Sequence, residues 1–148
     1  MEKLDKIDRK ILNLLQQNAK IQLKVLAERV FLSSPATSAR LERLSQLICG
    51  YQARLDLVQL GFHVTAFINL EVDPRDKPTF YPFIKACPNV LECNCVTGPF
   101  SMLIKVAFPS TVELDDFINV LQKFGKTSTQ IVFSTSVEPR GILLPAED

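Results

Sequence analysis

The side chains with the most chemistry to offer are gathered in one short stretch: Ser33, Ser34, Thr37 and Ser38, followed by Arg40 and Arg43. Short hydroxyl side chains let a backbone come close to a phosphate or a base edge. Guanidinium groups further along can reach phosphate oxygens or the edge of a guanine. Hydroxyls in the first turn of a helix with arginines behind them therefore suit insertion into a major groove, which is about 12 Å wide. A plainer reading stands beside this one. Ser34 is well placed to cap a helix, and Arg40 could pair with Glu42 or Glu28 on a solvated surface. A second group comprises Cys49, Cys87, Cys93 and Cys95. Cys93 and Cys95 would share one face of a strand, but the single histidine, His63, leaves too few well-spaced ligands for a zinc site. Ordinary thiols are the expectation, with no metal and no cofactor. The chain has no nucleophile elbow, no phosphate loop and no carboxylate pair set among apolar neighbours. His63 is expected at the surface or a strand edge, and an enzyme is not expected.

The elements that must position the hydroxyl–arginine stretch are legible around it. Asp5 and Asp8 suit the capped, electropositive start of a helix, and Ile7, Ile11, Leu12, Leu14 and Leu15 follow at helical spacing over about 12 residues. Leu23 to Val30 forms a second helix with Leu23, Leu26, Ala27 and Val30 inward. Phe31-Leu32-Ser33 leaves room only for a tight turn. A third helix runs from Pro35 to Leu44, with Ser34 as cap and Ala39, Leu41 and Leu44 as anchors. Three short helices with a tight turn before the last form a helix-turn-helix arrangement. Ile48 to Leu55 then changes to a strand-like pattern, a wing or a connector.

The remainder alternates between periods of two and 3.6 residues. Val64–Val72 reads as a strand, Asp73–Pro78 as a loop, Thr79–Ala86 as a short helix, and Val90–Thr97 and Ser101–Phe108 as strands. A helix capped by Ser110 or Thr111 runs to Phe124, with Val112, Leu114, Phe117, Ile118, Leu121 and Phe124 inward. Gly125 stops it, and Thr127–Val137 is a long final strand. The order β-α-β-β-α-β is the ferredoxin-like arrangement, with both helices on one sheet face. The other face lacks a cover within one chain, so a homodimer is expected. The fold class is α+β: an N-terminal winged helix-turn-helix over 1–50, a connecting segment over 51–62 and a ferredoxin-like βαββαβ domain over 63–148.

Charge divides along the same line. Residues 1–55 hold ten Lys and Arg against five Asp and Glu, a net +5. The rest hold seven against eleven, a net −4, which together give the +1 of the whole chain. A basic head on an acidic body points to a polyanion partner for the head alone. No run of 18 apolar residues occurs, so no membrane partner is expected. The N-terminus is charged from Glu2 and Lys3 onward, without a signal-peptide core, which makes the cytoplasm the expected location.

Leu4-Asp5, Asp8-Arg9, Ile11-Leu12, Leu14-Leu15-Gln16, Leu26-Ala27, Leu32-Ser33, Arg40-Leu41 and Arg43-Leu44 stand in an order that resembles the Lrp/AsnC family of feast/famine regulators. The likeness continues through Gly50-Tyr51, Leu60-Gly61, Cys87-Pro88, Val96-Thr97-Gly98 and Leu103 to Val106. It implies double-stranded DNA as the head's partner and a homodimer that assembles further, often to an octamer. It also implies a small amino-acid effector bound between dimers, which alters DNA affinity or oligomeric state. The positions matching the family's effector loop are Gly98, Phe100 and Ser101, with Thr129 on the last strand. Ser101 replaces a more frequent aspartate and looks more like the asparagine-responsive branch. There a backbone nest at Gly98 would take the effector carboxylate, and the two hydroxyls its polar atoms. The alternative is a tight hairpin that needs Gly98, with Ser101 and Thr129 as ordinary β residues. Two departures bear on the head. Phe31 stands where the family usually has glycine, so a different turn is expected. Leu44 to Gly50 is two residues shorter than the family pattern, which calls for a tighter exit from the third helix or an earlier end to it. From this second departure comes an alternative function: an amino-acid-binding oligomer with impaired or lost DNA binding.

Overall fold

The computed structural model describes residues 4–145, so Glu2 and Lys3 lie outside the described residues. The chain divides into two compact units. One holds the residues up to Arg54 together with those from Val137 onward; the other is Leu55–Ser136. The last segment therefore belongs with the head, although it follows the last strand of the body and the sequence places it there.

In the head, α1 (Lys6–Gln17) begins at Asp5, whose side chain accepts from the Asp8 backbone N–H while Asp8 accepts from that of Asp5. This reciprocal capping box satisfies two otherwise orphaned donors. The second helix, α2, is Leu23–Val30 and ends on Phe31, which adopts the left-handed conformation at φ 58°, ψ 42°. The glycine-type turn is thus retained despite the phenylalanine, and the expectation of a different turn is corrected. The third helix, α3, is Ser34–Leu44; its cap is Ser33, one residue earlier than expected, with Ser33 Oγ accepting from Ala36 N at 3.3 Å. Ile11, Leu26, Val30 and Leu44 meet in the centre of the head. Each such burial stabilises by about 1.5–3 kcal/mol before chain entropy is counted. Leu23 and Ala39, expected inside, are exposed.

The exit from α3 is tight. A single 3-10 turn, Ser45–Leu47, closes it, as the shortened stretch required. From Ile48 to Leu55 the backbone has no strand assignment. The expected strand there, and with it the wing, is not formed.

The second unit is a four-stranded antiparallel sheet of β1 (Val64–Leu70), β2 (Val90–Cys95), β3 (Met102–Phe108) and β4 (Thr127–Ile131) in the order β2-β3-β1-β4. With α4 (Lys77–Ala86) and α5 (Thr111–Leu121) this is the expected βαββαβ fold. Alternate residues Ala66, Ile68 and Leu70 on β1 pair with Val106, Ile104 and Met102 on β3, and all are buried beneath Phe80, Leu114 and Leu121 of the helices. Val112, expected inside, is exposed, and β4 ends at Ile131 rather than Val137. Glycine is obligatory at Gly125, where a Cβ would stand 1.7 Å from the carbonyl oxygen of Glu71.

Candidate functional site

The six head residues singled out from the sequence do not all face the same way. Ser38 is exposed on α3, Ser34 half-buried in its first turn, and Ser33 occupied as cap. Thr37 is fully buried, and its hydroxyl donates to the Ser33 carbonyl at 2.9 Å. The expectation that Thr37 faces a partner is therefore corrected: its role is to close the first turn from inside. The outward stripe of α3 consists instead of Pro35, Ser38, Ala39 and Glu42, at helical spacing. Ala39 was missed as an outward residue. The signal was present, because Thr37, Leu41 and Leu44 define the inward stripe and Ala39 falls off it.

Arg40 and Arg43 are drawn back onto the head. One terminal nitrogen of Arg40 bridges Asp5 at 2.6 Å and Asp8 at 2.7 Å, and Arg43 donates to both Asp8 carboxylate oxygens at 2.7 Å. Asp8 is 1% exposed, whereas Arg40, Arg43 and Asp5 keep 27%, 38% and 49% of their side chains exposed, so one buried carboxylate is covered by partners that still reach solvent. The partners are not Glu42 or Glu28, but the carboxylates of the α1 capping box. Burial raises the Asp8 pKa, yet hydrogen bonds from Arg43 and Arg40 outweigh it and hold the carboxyl below its usual range. Asp5 is lowered as well, first by the Asp8 backbone N–H and then by Arg40. The two arginines thus fasten α3 to the start of α1 and fix the angle at which the outward stripe is presented. Their charge is compensated locally. Lys20, Lys24 and Arg29 stand exposed elsewhere on the head and carry its positive field outward. Phe31, 87% exposed, has the Lys10 ammonium 5.0 Å from its ring centroid.

In the body, Gly98 adopts φ +111° in the exposed turn between β2 and β3. Phe100 is half-buried beside it. Ser101 is engaged by the chain: the Val72 N–H donates to its Oγ at 2.9 Å, and its own N–H donates to the Leu70 carbonyl at 3.1 Å. It thereby stitches the β2–β3 loop to the end of β1. Thr129 pairs with Ile68 on β4. Because β3 and β4 flank β1 on opposite sides, Ser101 and Thr129 are two strand spacings apart across the sheet, about 10 Å, and are further offset along it, since Ser101 lies beyond Leu70 while Thr129 faces Ile68. One chain does not bring the four residues together. Cys93 and Cys95 lie on one face of β2, with burial pushing the Cys93 thiol up. Among the described residues no group of three or more His, Cys, Asp or Glu is placed to hold a metal ion, and no helix is long and apolar enough to cross a membrane.

Residues 4–45 match an AsnC-type helix-turn-helix domain, and residues 65–142 match an Lrp/AsnC ligand binding domain. The chain is 36% identical to the uncharacterized HTH-type transcriptional regulator YezC of Bacillus subtilis, over 90% of this chain and 96% of that protein. The structure of Bacillus subtilis LrpC superimposes with a TM-score of 0.88 at 26% identity, covering 93% of this chain and 100% of that one. A transcriptional regulator of Neisseria meningitidis, solved as a complex with L-Met, gives a TM-score of 0.88 at 26% identity over 97% of each chain. Head, body and their order along the chain agree in all of these: the chain belongs to the Lrp/AsnC family of helix-turn-helix transcriptional regulators, and is a regulator rather than an enzyme.

Proposed function

We propose that the chain is a sequence-specific DNA-binding regulator, acting in the cytoplasm, whose DNA affinity or oligomeric state is tuned by a small amino acid. The carrying observation is the outward stripe of α3, Pro35-Ser38-Ala39, with side chains small enough for a helix to sit deep in a major groove. Ser33 and Ser34 at its start, and Ser38 one turn on, would meet phosphates or base edges. Arg40 and Arg43 would act chiefly by positioning, with Arg43 nearer the outside. Binding to a promoter fragment should weaken steeply with salt. Ser38→Glu should lower affinity at least tenfold while leaving the thermal melt unchanged. Binding that is insensitive to both salt and Ser38→Glu would rule out the α3 assignment.

The effector site would form between chains, since Gly98, Phe100 and Ser101 are separated from Thr129 within one. Gly98 supplies the backbone geometry, Phe100 an apolar wall, and Ser101 anchors the loop, with Thr129 contributed from a second copy. The sheet face opposite the helices, bearing Phe67 on β1 and Leu103 and Lys105 on β3, supports a homodimer; assembly to an octamer follows the family pattern. The finer reading, an effector of the asparagine type, draws on Ser101. Thermal shifts with each of the twenty amino acids, followed by chromatography with each hit, decide it. A response to leucine or methionine and not to asparagine would set that finer reading aside.

The tight 3-10 exit and the missing wing favour one second reading, an amino-acid-binding oligomer with impaired or lost DNA binding. Thermal shifts with an amino acid, combined with no mobility shift on any genomic fragment, would favour it over the first.

A further inference from the structure

The C-terminal segment lies on the outer side chains of α1 in an extended form. The Asn13 side-chain amide donates to the Leu144 carbonyl at 2.9 Å and accepts from the Leu144 N–H at 3.0 Å. Gln16 donates to the Ile142 carbonyl at 2.9 Å, and Arg9 to that of Pro145 at 3.2 Å. Asn13 thus treats Leu144 as a neighbouring β-strand would. Arg9, Asn13 and Gln16 form one stripe of α1, rising about 10.5 Å along the helix axis at 1.5 Å per residue. Ile142 to Pro145 spans about 10 Å when extended. Helix stripe and segment match in length and run in opposite directions. Gly141 lies close against this stripe, where a Cβ would meet the movable end of the Gln16 side chain, Oε1 at 1.7 Å. Leu144 and Ile142 also wall an apolar cavity of about 470 Å³ with Leu12 and Leu15 of α1 and with Leu47 and Tyr51.

The path of the chain gives this docking a consequence. The backbone leaves the head once, at Arg54–Leu55, and returns to it once, at Ser136–Val137. Arg54 and Glu138 stand 3.6 Å apart where the two crossings begin and end. We propose that the stripe Arg9–Asn13–Gln16 is a docking track for the segment Gly141–Pro145, and that the docked segment is a releasable second attachment coupling the body to the head. Docked, the head is held to the body by two lengths of chain; released, by the segment around Arg54 alone. The docked segment follows β4, the strand that carries Thr129, through the irregular residues 132–140. The hydrogen bonds join the Asn13 and Gln16 amides and the Arg9 guanidinium to backbone atoms of the segment, so each is modest and the segment can leave without unfolding α1.

The experiment uses the whole chain, Asn13→Ala, and a chain ending at Arg140. Hydrogen exchange of the Leu144 amide should quicken at least tenfold in Asn13→Ala. Trypsin cleavage after Arg54 should quicken at least fivefold in both variants, because the already exposed Arg54 loses the Glu138 partner that restrains it when the attachment opens. Unchanged exchange at Leu144 would show that Asn13 does not hold the segment. Faster exchange with unchanged cleavage after Arg54 would show that docking does not couple the two crossings. Either result overturns the proposal. Should Asn13→Ala disturb α1 itself, seen as faster exchange of its backbone amides, the chain ending at Arg140 decides, since it leaves α1 intact.

Discussion

Asp8 does two jobs with one carboxylate, capping α1 and receiving both arginines of α3. Its folded pKa lies below the unfolded value of about 3.8, so its contribution is present above that value and is lost as pH falls through the lower folded one. Thermal melts of the head should therefore lose midpoint below about pH 4 and change little from pH 5 upward. Replacing Arg40 and Arg43 together by Met would strand a buried carboxylate, at a cost of about 3 kcal/mol or more. It should also reverse the sign of the acid dependence, because the unpaired Asp8 would then take up a proton more readily folded than unfolded. Denaturant titrations of the double variant at pH 4 and pH 7 test this; equal stability at both would exclude the paired geometry. This network also alters what Arg→Ala binding data mean, since a loss of DNA affinity at Arg40 would follow from a displaced helix as readily as from a lost contact. The sequence showed the capping pair and the arginines, but not that they meet. Thirty-two residues separate Arg40 from Asp8, and no local periodicity reports a contact across that distance.

At the scale of elements, the helices were legible because each carries its own period and cap, and α1, α2 and α3 fall within a residue or two of expectation. Strand β4 was overextended, since alternation alone continues past Ile131 to Val137 while the neighbour that would pair with it, β1, begins at Val64. The wing failed for a similar reason: a strand needs a partner, and Ile48–Leu55 pairs with none among the described residues. Two substitutions test elements directly. Phe31→Gly should raise the unfolding free energy of the head, read from denaturant titration, by about 0.5–1 kcal/mol, because a left-handed residue with a Cβ carries about that much strain beyond the Lys10 contact it would lose. Gly125→Ala should be severely destabilising, since its methyl would meet the Glu71 carbonyl. A melt of Gly125→Ala within one degree of the parent would mean that the α5–β4 turn can open without cost.

Across the whole molecule, the division into basic head and acidic body was visible in the charges, and the order of elements was visible in their periods. The proposed effector residues were less accessible, because Ser101, just before β3, and Thr129, on β4, lie on opposite sides of β1, and no local pattern relates the two. Likewise, no composition shift marks Val137 as the point where the chain rejoins the head. The Asp5–Asp8–Arg40–Arg43 cluster carries a further consequence for how such a head changes over evolutionary time. A carboxylate shared by two arginines cannot be exchanged singly without leaving charge of one sign behind. These four positions are accordingly expected to drift as a group, and a relative lacking the acid at the position of Asp8 is expected to lack at least one of the two arginines as well.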